Sequence, residues 1–296
     1  MNAPLKNLPT VEFKLNDKAV QAYEGESILK AAQRNGVDIP HLCYTDGLRA
    51  DGNCRACVVE IKGERTLAPS CCRNATAGLE VLVSDRAVKS QKMVLEMLLS
   101  DMPDVGYKWN DASSLAAATG DTPGSSCGEP KSSPGASPIA AGGVARDSFS
   151  SELAAGQHGE LSDWASRLNV SVRPALRALR REQPACDVSH PAMAVNLDAC
   201  IQCNRCVRAC REEQVNDVIG YAHRGAHSQI VFDLNDAMGN SSCVACGECV
   251  QACPTGALMP KTQIGSQVVD KQVDSVCPFC GVGCLLTYNV KDNKIV

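Results

Sequence analysis

At 296 residues the chain has length for about two domains. Its 18 cysteines are too many for ordinary usage, yet the chain is too long for a small disulfide-stapled scaffold. The formal charge of −4 is mild and comes without a long basic run, so nothing favours an electrostatic nucleic-acid or anionic-membrane binder. Fifteen of the cysteines fall into three dense groups at metal-ligand spacing, as expected of a reducing compartment, read here as the cytoplasm. No long apolar run follows Met1 to Lys6, so no secretory leader is expected. Nothing approaches the roughly 18 apolar residues of a membrane span.

Residues 10 to 100 read as one compact domain. Val11 to Leu15 and Ala19 to Tyr23 alternate around an Asn16-Asp17 turn, which predicts a hairpin. Ser27 is placed to cap a helix carrying Ile28, Leu29, Ala31 and Ala32, and Asn35-Gly36 ends it. Strands are expected over Ala56 to Ile61 and Glu80 to Val83, and a helix over Asp85 to Ser100 with Val88, Met93, Leu95, Met97 and Leu98. Cys43, ten residues, Cys54, two residues, Cys57, thirteen residues and Cys71 supply the four thiolates of a [2Fe-2S] rhomb. The wide first interval, with Gly47 and Gly52 in it, resembles the N-terminal [2Fe-2S] domain of the NADH dehydrogenase large subunit. Iron-only hydrogenases and NAD-dependent formate dehydrogenases carry a similar domain. Cys72 competes as fourth ligand; the thirteen-residue interval before Cys71 matches that resemblance, which implies Cys71 as the ligand and leaves Cys72 as a buried bystander. A zinc-stabilised β-domain is the bland alternative.

That resemblance implies a following His-x3-Cys-x2-Cys-x5-Cys cluster site. Here Met102 of Leu99-Ser100-Asp101-Met102-Pro103 stands where the His belongs, and Gly106 and Trp109 occupy the next two ligand positions. This cluster is expected to be absent. Of the 50 residues from 111 to 160, 32 are Ser, Ala, Gly or Pro, a composition that reads as a disordered linker or surface insertion. Cys127, His158, Cys186 and His190 follow no ligand pattern and read as lone solvent or packing residues. Ser162-Asp163 is expected to cap a short helix with Trp164 and Leu168, and Pro174 to open another over Ala175 to Arg181. Arg177, Arg180 and Arg181 read as its solvated face. His190 reads as structural.

Cys200-x2-Cys203-x2-Cys206-x3-Cys210, then 32 residues, then Cys243-x2-Cys246-x2-Cys249-x3-Cys253-Pro254 is the bacterial two-cubane ferredoxin arrangement. The fourth cysteine of each run reaches the other cluster. Cys200, Cys203, Cys206 and Cys253 are therefore assigned to one [4Fe-4S] cluster, and Cys243, Cys246, Cys249 and Cys210 to the second. A pair of zinc sites is the competing reading of such Cys-x2-Cys pairs; the doubled spacing and Pro254 weigh against it. Val195 to Leu197 reads as the first strand. Ile219 to Tyr221 and Gln229 to Phe232 read as strand-like pieces of an insertion covering one cluster face.

Cys277-Pro278-Phe279-Cys280-Gly281-Val282-Gly283-Cys284 resembles the opening of the molybdopterin oxidoreductase family in its formate dehydrogenase form. The resemblance implies that Cys277, Cys280 and Cys284 supply three of four ligands to a further [4Fe-4S] cluster beside a pterin. The fourth Cys and a Lys would lie past Val296. Leu285 to Val290 reads as a strand leading into a hairpin turn.

The expected fold class is α+β. A β-grasp [2Fe-2S] ferredoxin-like domain (10–103) precedes a low-complexity linker with the degenerate His-Cys cluster site (104–160) and a helical segment (161–192). A bacterial-type 2[4Fe-4S] ferredoxin domain (193–262), a linker (263–275) and the truncated start of a molybdopterin oxidoreductase [4Fe-4S] domain (276–296) follow. The resemblance implies the α subunit of an NAD-dependent formate dehydrogenase. In that family electrons pass from formate at a molybdenum or tungsten bis-pterin, in a downstream domain of the same polypeptide, to a flavoprotein partner with FMN and NAD. No Gly-x-Gly-x-x-Gly fingerprint is present, so NAD is not expected on this chain. The alternatives are the corresponding subunit of NADH dehydrogenase or hydrogenase, and a standalone multi-cluster electron carrier.

Overall fold

A computed structural model describes residues 9–102, 159–181, 186–261, 270–278, 281–291 and 293–295. Strands β1 (Thr10–Leu15) and β2 (Lys18–Tyr23) pair antiparallel, Thr10 against Tyr23 and Leu15 against Lys18. Asn16 and Asp17 take φ of 49° and 64°, the left-handed pair a two-residue type I′ turn needs. Helix α1 (Ile28–Arg34) starts where Ser27 Oγ accepts the Lys30 N–H and stops at Asn35, with Gly36 at φ 74°. Strands β3 (Val58–Ile61), β4 (Ala68–Pro69) and β5 (Glu80–Leu82) complete one sheet in the order β2-β1-β5-β3-β4. β1 and β5 form its parallel pair, and α1 buries Ile28, Leu29, Ala31 and Ala32 in a core with Phe13, Leu15, Val59 and Val81. This is the expected β-grasp; only the two-residue β4 had no periodicity to announce it.

Helix α2 (Asp85–Ser100) has the expected bounds, capped by Ser84 Oγ, which accepts the Ala87 N–H. Ala87, Gln91, Leu95 and Leu99 recur at four-residue intervals on its buried face, while Met93 and Met97 are exposed. Gln91 Nε2 donates to the Val58 carbonyl (2.9 Å), fastening the helix to the sheet.

Helix α3 (Glu160–Arg167) begins before the expected Ser162-Asp163 cap, with Gly159 as its N-cap. Gly159 has φ 55°, and a Cβ there would lie 2.4 Å from the Pro254 oxygen, so only glycine allows the approach. The Glu160 N–H donates to that same oxygen (2.9 Å), tying α3 to the residue after Cys253. Helix α4 (Pro174–Arg177) is shorter than expected, with Pro174 in its first turn.

The basic run is not a solvated face. Arg177 Nη1 donates to the carbonyls of Leu99, Ser100 (2.8 Å) and Met102, three acceptors at the end of α2. Arg181 donates to the Cys200 carbonyl and pairs with Asp101. Burial lowers the pKa of Arg180 and Arg177. Carbonyls left over at a helix end compete with water for these guanidinium groups.

In the third part β6 (Met193–Val195), slightly earlier than expected, pairs antiparallel with β9 (Leu258–Pro260). Asn196 Oδ1 accepts the Asp198 N–H (3.2 Å) and turns the chain out of the strand before Cys200. Helix α5 (Arg205–Arg208) runs into a π turn over Ala209–Glu213, and α6 (Glu248–Ala252) follows the second cysteine run. Between them β7 (Ile219–Ala222) and β8 (Gln229–Phe232) form the expected hairpin. Finally β10 (Lys271–Val276), β11 (Leu285–Lys291) and β12 (Lys294–Ile295) make a three-stranded antiparallel sheet. β10 takes the last five residues of the stretch expected as the 263–275 linker; its polar residues show no alternation, and pairing with β11 is what extends it.

One apolar core joins these parts. Leu42 and Ala56 from the first domain, Leu95, Leu99 and Met102 from the α2 end, Leu161 and Ala165 from α3, and Ala199 and Ala257 from the cysteine-rich part pack together. Met102 is therefore a core residue. No helix among the described residues is long and apolar enough to cross a membrane.

Candidate metal centres

The loop between α1 and β3 carries Cys43, Cys54 and Cys57, and the turn after β4 brings Cys71 to them. Cys43, Cys57 and Cys71 are buried and Cys54 is half-buried. The Cys43 thiol accepts from Cys54 and Cys71, which holds it well below the ordinary range and pushes Cys71 and Cys54 up. Cys72 is exposed, not buried as expected, with its sulfur 3.6 Å from that of Cys71. Gly52, at φ 62°, makes room for it: a Cβ there would lie 2.9 Å from the Cys72 sulfur.

The two longer runs form two separate cavities. One is lined by Cys200, Cys203, Cys206 and Cys253, together with Leu197 and Ile230. The other is lined by Cys210, Cys243, Cys246 and Cys249, together with Ile219 and Phe232. Each cavity thus takes three cysteines from one run and the fourth from the other. The β7–β8 hairpin lines both, through Ile230 in the first and Ile219 and Phe232 in the second, where coverage of a single face was expected.

The backbone of these loops is built alike. Gln202 (φ 52°) and Asn204 (φ 70°) flank Cys203, and Ala245 (φ 59°) and Gly247 (φ 78°) flank Cys246. These left-handed residues curl the loop so that main-chain N–H groups face sulfur. The Gln202 N–H donates to Cys200 Sγ (3.4 Å), the Ala245 N–H to Cys243 Sγ (3.4 Å) and the Ala56 N–H to Cys54 Sγ (3.5 Å). Amide dipoles aimed at sulfur stabilise thiolate over thiol.

Burial acts the other way. It pushes the Cys200 thiol up to about 11 and Cys249 up to about 12, and raises Cys203 and Cys206 as well. A cationic metal that ligates these sulfurs must displace their protons, so loading releases protons. Four-cysteine cavities with N–H donors on the sulfurs fit the donor set of an iron–sulfur cluster. No three His, Cys, Asp or Glu side chains among the described residues meet at the distances of a single metal ion.

The third run is partly described. Cys277 is half-buried, Cys284 is exposed, and the Cys277 N–H donates to the Cys284 carbonyl (2.8 Å), closing the loop at the β10–β11 end. Cys280 lies outside the described residues, as do Cys127, His158, Gly106 and Trp109. Cys186 packs beside Ala194 and Met259 and is disulfide-bonded. His190 is buried, and its Nδ1 accepts the N–H groups of Ala192 (3.1 Å) and Met193 (3.2 Å), a structural role.

Direct contacts join the first site to the second. Asn53 Nδ2 donates to the Gln202 carbonyl (3.1 Å) and Asn204 Nδ2 to Asp51 (3.2 Å). Arg205 and Arg208 are almost fully buried on α5 and reach back to the Cys43 loop. Arg205 donates to the Leu42 carbonyl (3.2 Å) and to Glu160 (2.8 Å); Arg208 donates to the carbonyls of Arg49 and Cys43 and pairs with Asp51 (3.1 Å). Sequence reading passed over both. Their signal was two arginines three apart inside Cys203-Asn204-Arg205-Cys206-Val207-Arg208-Ala209-Cys210, on a helix the cysteines already bury.

Three family models match the chain in this order. A 2Fe-2S iron–sulfur cluster binding domain matches residues 9–85, and a 4Fe-4S dicluster domain matches residues 199–257. A molybdopterin oxidoreductase Fe4S4 domain matches residues 270–296. By sequence the chain thus carries three iron–sulfur cluster domains. Among curated relatives, an NADH-quinone oxidoreductase subunit of Rhizobium meliloti is 26% identical, covering 97% of this chain and 28% of the relative. A putative formate dehydrogenase of Bacillus subtilis is 23% identical, covering 99% of this chain and 30% of the relative. The chain therefore spans less than a third of the length of these relatives. A chain of an NAD⁺-reducing [NiFe]-hydrogenase shares the fold of this iron–sulfur protein, with a TM-score of 0.61, 22% identity, and coverage of 88% of this chain and 92% of that one.

Proposed function

We propose that this iron–sulfur protein is the electron-relay portion of the α subunit of an NAD-dependent formate dehydrogenase. Cys43, Cys54, Cys57 and Cys71 hold a [2Fe-2S] cluster. Cys200, Cys203, Cys206 and Cys253 hold one [4Fe-4S] cluster, and Cys243, Cys246, Cys249 and Cys210 hold a second. Cys277, Cys280 and Cys284 contribute three ligands to a third cluster next to a molybdenum or tungsten pterin site. When bound, the clusters supply one-electron carriers, and bond-making chemistry belongs to groups outside this chain. The chain's own part is to hold the clusters with thiolates, line them with apolar side chains and keep the domains in contact.

The observation that supports this reading best is the run Cys277-Pro278-Phe279-Cys280-Gly281-Val282-Gly283-Cys284 within the stretch matched by the molybdopterin oxidoreductase model. The large iron–sulfur subunit of NADH dehydrogenase is the second reading, favoured by the match to the Rhizobium meliloti protein along 97% of the chain. Either reading implies a flavoprotein partner carrying FMN and NAD.

The test is made on protein purified without oxygen. Iron, acid-labile sulfide and EPR are expected to give one [2Fe-2S] and two complete [4Fe-4S] centres in this chain. A third fully liganded [4Fe-4S] centre would contradict the three-cysteine reading of the last site or the loss of the His-Cys site. With the complete reading frame and its flavoprotein expressed together, formate is expected to reduce the clusters and then NAD. A continuation lacking a Cys-x-Lys-Gly-like motif, or clusters that formate leaves oxidised, would turn the assignment to NADH dehydrogenase.

A further inference from the structure

Two arginines place their guanidinium groups on main-chain carbonyls of cysteines assigned to clusters. Arg208, 3% exposed, donates through Nη2 to the Cys43 carbonyl. Arg181 donates through Nη2 to the Cys200 carbonyl. Each has a carboxylate beside it, Asp51 at 3.1 Å from Arg208 Nε and Asp101 at 3.7 Å from Arg181 Nε. The two arginines come from different elements, α5 and the end of the helical segment, and they reach cysteines of different sites. Arg205 provides the contrast. It is as buried as Arg208 and bridges the same two parts, but it binds the Leu42 carbonyl and Glu160 and touches no cysteine carbonyl.

We propose that Arg208 and Arg181 are potential-setting positioning residues, Arg208 for the [2Fe-2S] cluster and Arg181 for the cluster of Cys200, Cys203, Cys206 and Cys253. The proposal rests on the cluster assignment above. Adding an electron to a thiolate-ligated cluster adds one negative charge. A fixed cation a few bonds away, in surroundings with little water, favours the reduced form. The carboxylate beside each arginine tempers that effect. Arg208 also lies between Cys206 and Cys210 in sequence, so its bond to Cys43 links the [2Fe-2S] loop to the helix bearing one ligand of each cubane.

The test is an EPR-monitored redox titration of the cluster-loaded chain. Arg208→Gln is expected to lower the reduced-to-oxidised ratio of the [2Fe-2S] centre at least tenfold at a fixed potential, about 59 mV for a one-electron couple. Arg181→Gln is expected to do the same to one [4Fe-4S] centre. Each variant leaves the other's centre within threefold, Arg208→Lys restores most of the first shift, and Arg205→Gln, whose charge lies near Cys203, leaves the [2Fe-2S] centre within threefold. Asp51→Asn shifts the [2Fe-2S] centre the opposite way, towards easier reduction, and decides the question alone if Arg208→Gln does not fold. Midpoints that stay put, or that all move together in Arg208→Gln, Arg181→Gln and Arg205→Gln, overturn the proposal and leave the cluster reading standing. Wild-type protein without iron and sulfide overturns the cluster reading itself, and the proposal with it.

Discussion

His190 shows what a single buried side chain contributes. Its Nδ1 accepts two main-chain N–H groups, and its own carbonyl accepts from Lys261 Nζ (3.1 Å). An accepting Nδ1 requires the neutral ring, and burial lowers the pKa accordingly, with Lys261 adding to the effect and Asp187 opposing it. A histidine whose folded pKa lies below its unfolded value of about 6.5 leaves the unfolded state holding more protons. Stability is then full above pH 6.5 and declines as pH falls below it. Thermal melts of wild type at pH 7.5 and 5.5 are expected to show this loss. In His190→Asn, whose Oδ1 accepts the same N–H groups without titrating, the loss should shrink; an equal loss in both proteins would count against it.

At the scale of elements, the short α4 matters through Arg177, which gathers three carbonyls at the end of α2. Replacing it with Met keeps the apolar stem and leaves those carbonyls to water or to nothing. The expected cost is about 1–3 kcal/mol, the range for stranded buried polar groups. It should appear as a lower melting temperature with the cluster EPR signals unchanged; an unaltered melt would show that water serves the carbonyls as well. This element also marks where sequence reading stops. The cysteine runs were legible because ligand spacing is local, and the bounds of α2 were legible because its signal lies within 16 residues, although of the apolar residues expected on it Met93 and Met97 are exposed and Gln91 is buried in their stead. Arg177, Arg205 and Arg208 were not, because their acceptors lie far off in sequence: the Cys43 carbonyl is 165 residues from Arg208. A basic residue on a helix reads as solvated until its acceptor is seen. β10 escaped notice for the same reason, since its pairing with β11 and not its composition makes it a strand.

For the molecule as a whole, the three parts share a core and touch at the two inner cysteine sites, so the first domain is not a loosely tethered module. The matching backbones of the two cubane-type loops carry a further consequence. In the first loop, the left-handed positions are Gln202 and Asn204, and their groups bond to Asn53, Asp51 and the Ser228 carbonyl. In the second they are Ala245 and Gly247, which offer no side-chain partner, and beside them Val244 and Cys246 are exposed. One curve of main chain has thus been dressed as an inner joint and, repeated, as an outer rim. That gives the molecule a weathered end. Dissolved oxygen should destroy the cluster of Cys243, Cys246, Cys249 and Cys210 first. Timed air exposure followed by EPR is expected to lose one [4Fe-4S] signal well ahead of the other, and Val244→Trp should narrow the gap. Simultaneous loss of both signals would mean that the rim shields as well as the joint.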